Sequence, residues 1–260
     1  MKMSRLALAS IVAAVSLVTG ANAVETLEDT FDESYTLDSD GSISINNTDG
    51  SIRIYAADVD EVHVHALKRA YSATRLNGIE VMVNATAKAL TIDTRYPPNP
   101  SGLFADKSGT VDYTLIVPTR AKIAACELSA GEILIEGLQE GSAKAHLVNG
   151  WLAARNCFAD VDVSIVNGRL DLAYDWGQKE KAFRVNASSV NGTLHTWIAP
   201  DMSAAISAAT ENGKIANALD DEGSGAVTSA QSIEVATGDA GGAAMTLRST
   251  NGNIRIDRAY

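Results

Sequence analysis

The stretch Ile165-Val166-Asn167-Gly168-Arg169-Leu170-Asp171-Leu172 decides the fold of this chain. An Asn-Gly pair stands at its centre. Aliphatic residues occupy every second position on both sides, the period of a half-buried strand. The pattern returns in Leu147-Val148-Asn149-Gly150, Ser189-Val190-Asn191-Gly192, Thr210-Glu211-Asn212-Gly213 and Ser249-Thr250-Asn251-Gly252, with Asp49-Gly50 and Ala130-Gly131 as variants. From Gly131 onward the glycines follow at spacings of 19, 18, 24 and 21 residues. Gly213 to Gly252 spans 39, two units with Gln231 in the glycine slot between them. A self-similar period of this length marks a stacked repeat.

The flanking columns fix the register. Two residues after each slot stand Ile52, Ile133, Leu152, Leu170, Leu194, Ile215, Ile233 and Ile254, all Leu or Ile. Five before it stand Ile45, Cys126, Ala145, Val163, Ala187, Ala208, Ala226 and Leu247, all small or apolar. Outward positions alternate in sign one unit apart, as in Lys144 and Asp162, Asp171 and His195, Glu234 and Arg255, which suits neighbours in a parallel ladder. Asn and Gly both tolerate positive φ and so fit the corner. The expected fold is all-β, a single-chain β-solenoid (β-helix) of about 18–24-residue coils. The alternative is an antiparallel meander, because Asn-Gly between alternating apolar residues is also a strong hairpin signal. A hairpin explains each turn but not the matching columns. The solenoid predicts that Leu170 neighbours Leu152 and Leu194, and that Leu194 neighbours Ile215. Arg169, by the same register, faces outward.

Before the regular repeat, strand-like runs cover Ser34–Leu37, Ser42–Ile45, Ser51–Tyr55, Glu61–Ala66, Gly78–Asn84, Ala89–Thr94 and Val111–Val117. Residues 96–110 form a Pro- and Gly-rich loop and residues 217–225 an acidic one. No segment carries a long helical period. The chain therefore divides into residues 1–23, a strand-rich part at 24–118 and the Asn-Gly repeat at 119–260.

Residues 1–23 read as a secretory signal peptide. Lys2 and Arg5 make the charged start, Leu6 to Thr19 an apolar stretch shorter than a membrane span, and Ala21-Asn22-Ala23 a cleavage site before Val24. No Cys follows for lipid attachment. Export to the periplasm, the cell surface or the medium is expected, with no membrane span in the mature chain. The whole chain has a net charge of −11, and loss of Lys2 and Arg5 takes it to −13, which disfavours nucleic acid as a partner. Cys126 and Cys157 are the only cysteines. An oxidising compartment invites a bridge between them, but the register puts them in different columns, well over one coil apart. Two buried thiols are expected, Cys126 near Ala145 and Cys157 near Leu138.

The sequence resembles the bacterial "putative adhesin" family of domains of unknown function, akin to auto-transporter adhesin heads. The residues that carry the resemblance are Asn47-Thr48-Asp49-Gly50-Ser51-Ile52-Arg53-Ile54, Val111-Asp112-Tyr113-Thr114-Leu115-Ile116-Val117-Pro118, Ser129-Ala130-Gly131-Glu132-Ile133-Leu134-Ile135-Glu136-Gly137-Leu138 and the serial Val-Asn-Gly units. It covers roughly residues 31–256, and its motifs are structural. The resemblance implies an exported or envelope-associated β-helical protein without assigned catalytic residues. The chain departs from the pattern at Gln231.

Candidate chemistry is sparse. His63 and His65 alternate on one strand face beside Glu61, but no third ligand stands at a telling spacing for zinc. His195 near Asp171 resembles an acid–base pair without a nucleophile. Asp160, Asp162, Asp171 and Asp175 cluster in sequence, and a glycosidase needs two carboxylates across a cleft; the columns place these four at different offsets around the coil. Asp220-Asp221-Glu222-Gly223 lacks the alternating ligand spacing of a calcium loop. Trp151, Trp176 and Trp197 offer a contact surface, although Trp151 and Trp197 fall in different columns; Trp176, in the longest segment between turns, marks the place for a partner site. No residue is assigned a catalytic, cofactor-binding or metal role, and no cofactor is expected. The expected function is a non-catalytic, adhesin-like scaffold for an unidentified macromolecule, protein or polysaccharide, of the envelope or surface. The alternatives are a carbohydrate-active β-helix enzyme and a purely structural envelope module.

Overall fold

In the computed structural model the described residues are 26–177, 181–219, 226–228, 231–238 and 242–259. The expected signal peptide and the Asp220–Gly223 loop lie outside them. The strands are β1 (Leu27–Thr36), β2 (Ser42–Ala57), β3 (Glu61–Ala70), β4 (Glu80–Ala85), β5 (Ala89–Arg95), β6 (Thr110–Pro118), β7 (Lys122–Glu136), β8 (Ser142–Arg155), β9 (Asp160–Ala173), β10 (Arg184–Ile198), β11 (Ala204–Asn212), β12 (Ile215–Asn217), β13 (Ala226–Thr228), β14 (Ser232–Thr237), β15 (Ala243–Asn251) and β16 (Ile254–Arg258). One helix, α1 (Ala73–Asn77), interrupts them. It precedes the run expected to be a strand from Gly78, where β4 begins at Glu80: the Ser72 side chain caps the helix at one end and Gly78 closes it at the other. The molecule is all-β, and its sheet does not close into a barrel.

The Asn-Gly pairs at 149–150, 167–168 and 191–192 lie inside long strands, while those at 212–213 and 251–252 fall between β11 and β12 and between β15 and β16. In β7, β8, β9 and β10 a first arm runs into the glycine and a second arm leaves it. Each of these strands pairs in parallel with the next, Gly131 opposite Gly150, Gly150 opposite Gly168 and Gly168 opposite Gly192. β2 joins the stack with Gly50 opposite Gly131, although 81 residues separate the two. Residues 163–166 pair with neighbouring strands and not with 169–172, so no Asn-Gly hairpin forms at Gly168.

The corner divides its labour. Gly131, Gly150, Gly168 and Gly192 take φ between +130° and +154°, and a Cβ on any of them would lie within 2.0 Å of the carbonyl oxygen of the glycine stacked beneath. The paired asparagines do not use positive φ, contrary to expectation; among the described non-glycine residues only Asn156 does. They use their amides instead. Asn167 Nδ2 donates to Asn149 Oδ1, Asn191 to Asn167, Asn251 to Asn191 and Asn212 to Asn251, at 2.9–3.0 Å. Such a ladder satisfies polar side chains at a crowded edge and ties adjacent layers together.

Inside, the aliphatic column forms as expected up to Leu194: Ile52, Ile133, Leu152, Leu170 and Leu194 are fully buried and in register. Beyond Leu194 the order departs from the sequence. β15 and β16, the two arms of the last unit, insert between β10 and the β11–β12 unit. Leu194 therefore pairs with Ile254, and Ile254 with Ile215. The unit expected around Gln231 is not a layer. β14 runs antiparallel along β11 with Ile233 opposite Ala208, and β13 runs antiparallel along β12. Glu234 consequently faces Ser207, not Arg255. The far end is closed in the same manner: β5 and β6 add parallel layers to the two arms of β2, and antiparallel β4, β3 and β1 follow. Antiparallel strands thus flank the parallel stack at both ends.

Cys126 is opposite Ala145, and Cys157 lies beside Leu138, whose carbonyl accepts from the Phe158 N–H at 2.7 Å. Both are buried free thiols. Burial pushes the Cys157 thiol up to about 12 and that of Cys126 further. Since the thiolate is the reactive form, iodoacetamide at about pH 8 is expected to leave both cysteines of the folded protein unmodified and to label both once denaturant is added. Labelling of either in the folded state, or a bridge found by mass spectrometry, would contradict this packing.

Candidate functional site

The outer face of the second arm holds a groove of about 380 Å³ across β8, β9 and β10. The ladder register builds it: Trp151 stands opposite Arg169, Ala153 opposite Asp171 and Asp171 opposite His195, and Arg155 opposite Ala173 and Ala173 opposite Trp197. Ala153 and Ala173 carry only a methyl group where their neighbours carry long side chains, so they make the floor. Trp151, Arg155, Arg169, Trp197 and Asp175 rise around them, and Ala259 of the C-terminal segment closes one side. Trp151 and Trp197 occupy different columns, as the sequence indicated, yet they line one groove because the columns are adjacent on a single face.

Polar contacts hold the walls in place. Asp171 is nearly buried, and both its oxygens are taken, by Trp151 Nε1 at 2.7 Å and by Arg169 Nε at 2.7 Å. A carboxylate this buried requires such partners. The Arg169 guanidinium sits 5.7 Å from the Trp197 ring centroid, within cation–π range. The His195 ring stacks on Trp197 at 3.5 Å. His195 Nε2 lies 2.5 Å from Asp257 Oδ2, which also accepts from Arg255 Nε at 2.5 Å. Burial alone would raise the Asp257 carboxyl; the hydrogen bonds and charges of Arg255 and His195 outweigh it and hold the group below the ordinary carboxylate value. Asp175 Oδ2 accepts from Asn156 Nδ2 at 2.9 Å. Among the described residues, Arg155 makes no side-chain ion pair.

The other candidates are placed apart. Asp160 and Asp162 lie on the first arm, Asp160 beside Arg184 and Asp162 opposite Lys144. Only Asp171 and Asp175 share the groove. His195 is the register neighbour of Asp171 but bonds to Asp257. His63 and His65 lie across the β1–β3 pair from Ser34 and Asp32, with His65 Nδ1 3.1 Å from Asp32 Oδ2, while Glu61 accepts from Thr36. No metal-binding group of three His, Cys, Asp or Glu occurs among the described residues. Trp176, half-exposed, packs its ring on Phe158 at 5.9 Å, outside the groove. Sequence reasoning missed Arg155 and Asp257. Their signal was the column five after the slot, where Arg155, Ala173, Trp197 and Asp257 succeed one another layer by layer.

No family model matches the chain, and no curated protein does. Solved structures do. The chain is similar to a putative cell adhesion protein from Clostridium sporogenes, at 12% identity and a TM-score of 0.48, covering 88% of this chain and 100% of that one. It is also similar to a putative adhesin from Bacteroides fragilis, at 8% identity and a TM-score of 0.34, covering 88% and 97%. A putative lipid binding protein from Parabacteroides distasonis follows at 9% and 0.32, covering 90% and 97%. Among the described residues, no helix is long and apolar enough to cross a membrane.

Proposed function

We propose that the chain is an exported, non-catalytic β-solenoid scaffold of the cell envelope or surface that holds another macromolecule. One observation carries this reading: within the same strands the inner column repeats and the outer column does not. Inward stand Ile133, Leu152, Leu170 and Leu194; outward, one position earlier, stand Glu132, Trp151, Arg169 and Thr193. A stack whose interior is uniform and whose exterior differs at every layer is suited to presenting a specific surface on a constant frame. The strand-rich part at 24–118 supplies one closing end of this scaffold together with the layer of β2, and the repeat at 119–260 supplies most of its layers and the other closing end. The enzyme alternative finds Asp171 and Asp175 in one groove. Both oxygens of Asp171 are already committed to Trp151 and Arg169, which leaves it a structural anchor rather than an acid or base aimed at a substrate.

The test uses protein recovered from the producing cell and purified envelopes. N-terminal sequencing is expected to begin at Val24. Co-sedimentation with washed envelopes is expected to saturate, with no release of reducing sugar ends over hours. Absence of saturable binding would refute the scaffold, and steady accumulation of reducing ends would put the enzyme in its place.

A further inference from the structure

We propose that the groove between Trp151 and Trp197 binds a carboxylate-bearing sugar unit, a hexuronate within an oligosaccharide. This rests on the scaffold reading and adds its ligand class. Trp151, beside an alanine floor, offers an apolar face for the C–H side of a pyranose ring; Trp197, already stacked by His195 and overlain by Arg169, closes the far side, and both are fixed in advance. Asp171 holds the Trp151 indole by its N–H, while His195 and Arg169 flank the Trp197 ring. Fixed aromatic walls lose little conformational freedom on binding. The groove is open rather than enclosed and crosses three strands, which suits a unit inside a chain more than a small free ligand.

The carboxylate is inferred from guanidinium groups left open, since Asp171 and Asp175 balance Arg155 and Arg169 in the lining. The chain is strongly acidic overall, yet Arg155 stands at the groove with no ion partner among the described residues, and Arg169 commits only its Nε to Asp171. A guanidinium fork matches a carboxylate in shape as well as charge. Asp175, carried on the Asn156 amide, offers an acceptor for sugar hydroxyls. An acidic peptide would satisfy Arg155 but would leave the Trp151 indole face without a ring to meet.

Isothermal titration calorimetry decides between them, with galacturonate oligomers, neutral galactose oligomers of the same length and short poly-glutamate as probes. Saturable binding of the galacturonate oligomer alone is expected. Arg155→Gln should weaken it about tenfold or more without moving the melting temperature, Trp197→Ala should abolish it, and Trp176→Phe should leave it unchanged. Equal binding of the neutral oligomer, preference for poly-glutamate, indifference to Arg155→Gln, or no heat with the uronate would each overturn the proposal. If envelope binding persists in Arg155→Gln while the wild type ignores the uronate, the ligand assignment fails and the scaffold stands. If the uronate binds and is shortened, the assignment stands and the non-catalytic reading fails.

Discussion

Gly168→Ala is expected to lower the melting temperature by roughly 10 °C or more, or to prevent folding. Two costs combine. The backbone at Gly168 has φ +132°, which an L side chain rarely adopts, worth about 1–3 kcal/mol. The new Cβ would also lie 2.0 Å from Gly150 O and 2.9 Å from its carbonyl carbon. Those are backbone atoms of the next layer, so relief requires the layers to part, at a further cost of about 1–3 kcal/mol or more. Gly102 separates the two terms. Its φ is +133°, almost the same, but the nearest atom to its Cβ is 3.7 Å away on Ala105 in a loop. Gly102→Ala should therefore show at most the backbone cost. Thermal melts followed by circular dichroism compare the two variants directly. Melting of Gly168→Ala within a few degrees of Gly102→Ala would remove close stacking as the reason for the glycine column.

Those two glycines also mark how far the sequence could be read. The column of glycines and the aliphatic column beside it were visible because burial on one face forces a period of two and stacking forces a repeat. Their burial and parallel register follow from the same physics. The order of the layers was not visible. Nothing in residues 243–258 distinguishes a unit added at the end of a stack from one inserted between two others, because Ile254 suits Leu194 as well as it suits Ile215. The slot at Gln231 had lost the residue that enables close approach, and there the chain turned back antiparallel. The acidic β1 strand turns only Phe31 and Tyr35 towards the core, both partly buried, and is otherwise held by cross-strand pairs such as Lys68 with Asp29 and Arg69 with Glu28, so it left only a partial signal.

The groove was harder still. Its parts are ordinary outward positions, spread over three strands and two columns, and each has a bland reading alone. Trp151, Asp171 and Trp197 acquire meaning only when the register sets Asp171 between the tryptophans and alanine at the positions that flank it. The register was available from the sequence; the choice of which column neighbours meet was not, because Asp171 turned to Trp151 and Arg169 rather than to His195. Arg169 shows the same limit. Its outward place was legible, but not that it supplies half the compensation for a nearly buried carboxylate.

Leu170 tests the interior of the stack. It is fully buried and lies in register between Leu152 and Leu194. Leu170→Ala removes three carbons from a site that the layers above and below prevent from collapsing, so a loss of about 2–5 kcal/mol is expected, enough to lower the melting temperature by roughly 5–20 °C. Leu170→Asp is expected to be worse and to yield little folded protein, since a carboxylate there meets only aliphatic side chains along the column and no donor to offset its desolvation. Thr193→Ala, on the exposed outer face of the neighbouring strand β10, should stay within about 0.5 kcal/mol. Urea denaturation of the three variants supplies the comparison. The free-energy ordering matters more than any single value: a Leu170→Asp protein as stable as Leu170→Ala would mean that water or a cation reaches the column, and the continuous aliphatic interior between β8, β9 and β10 would have to be abandoned.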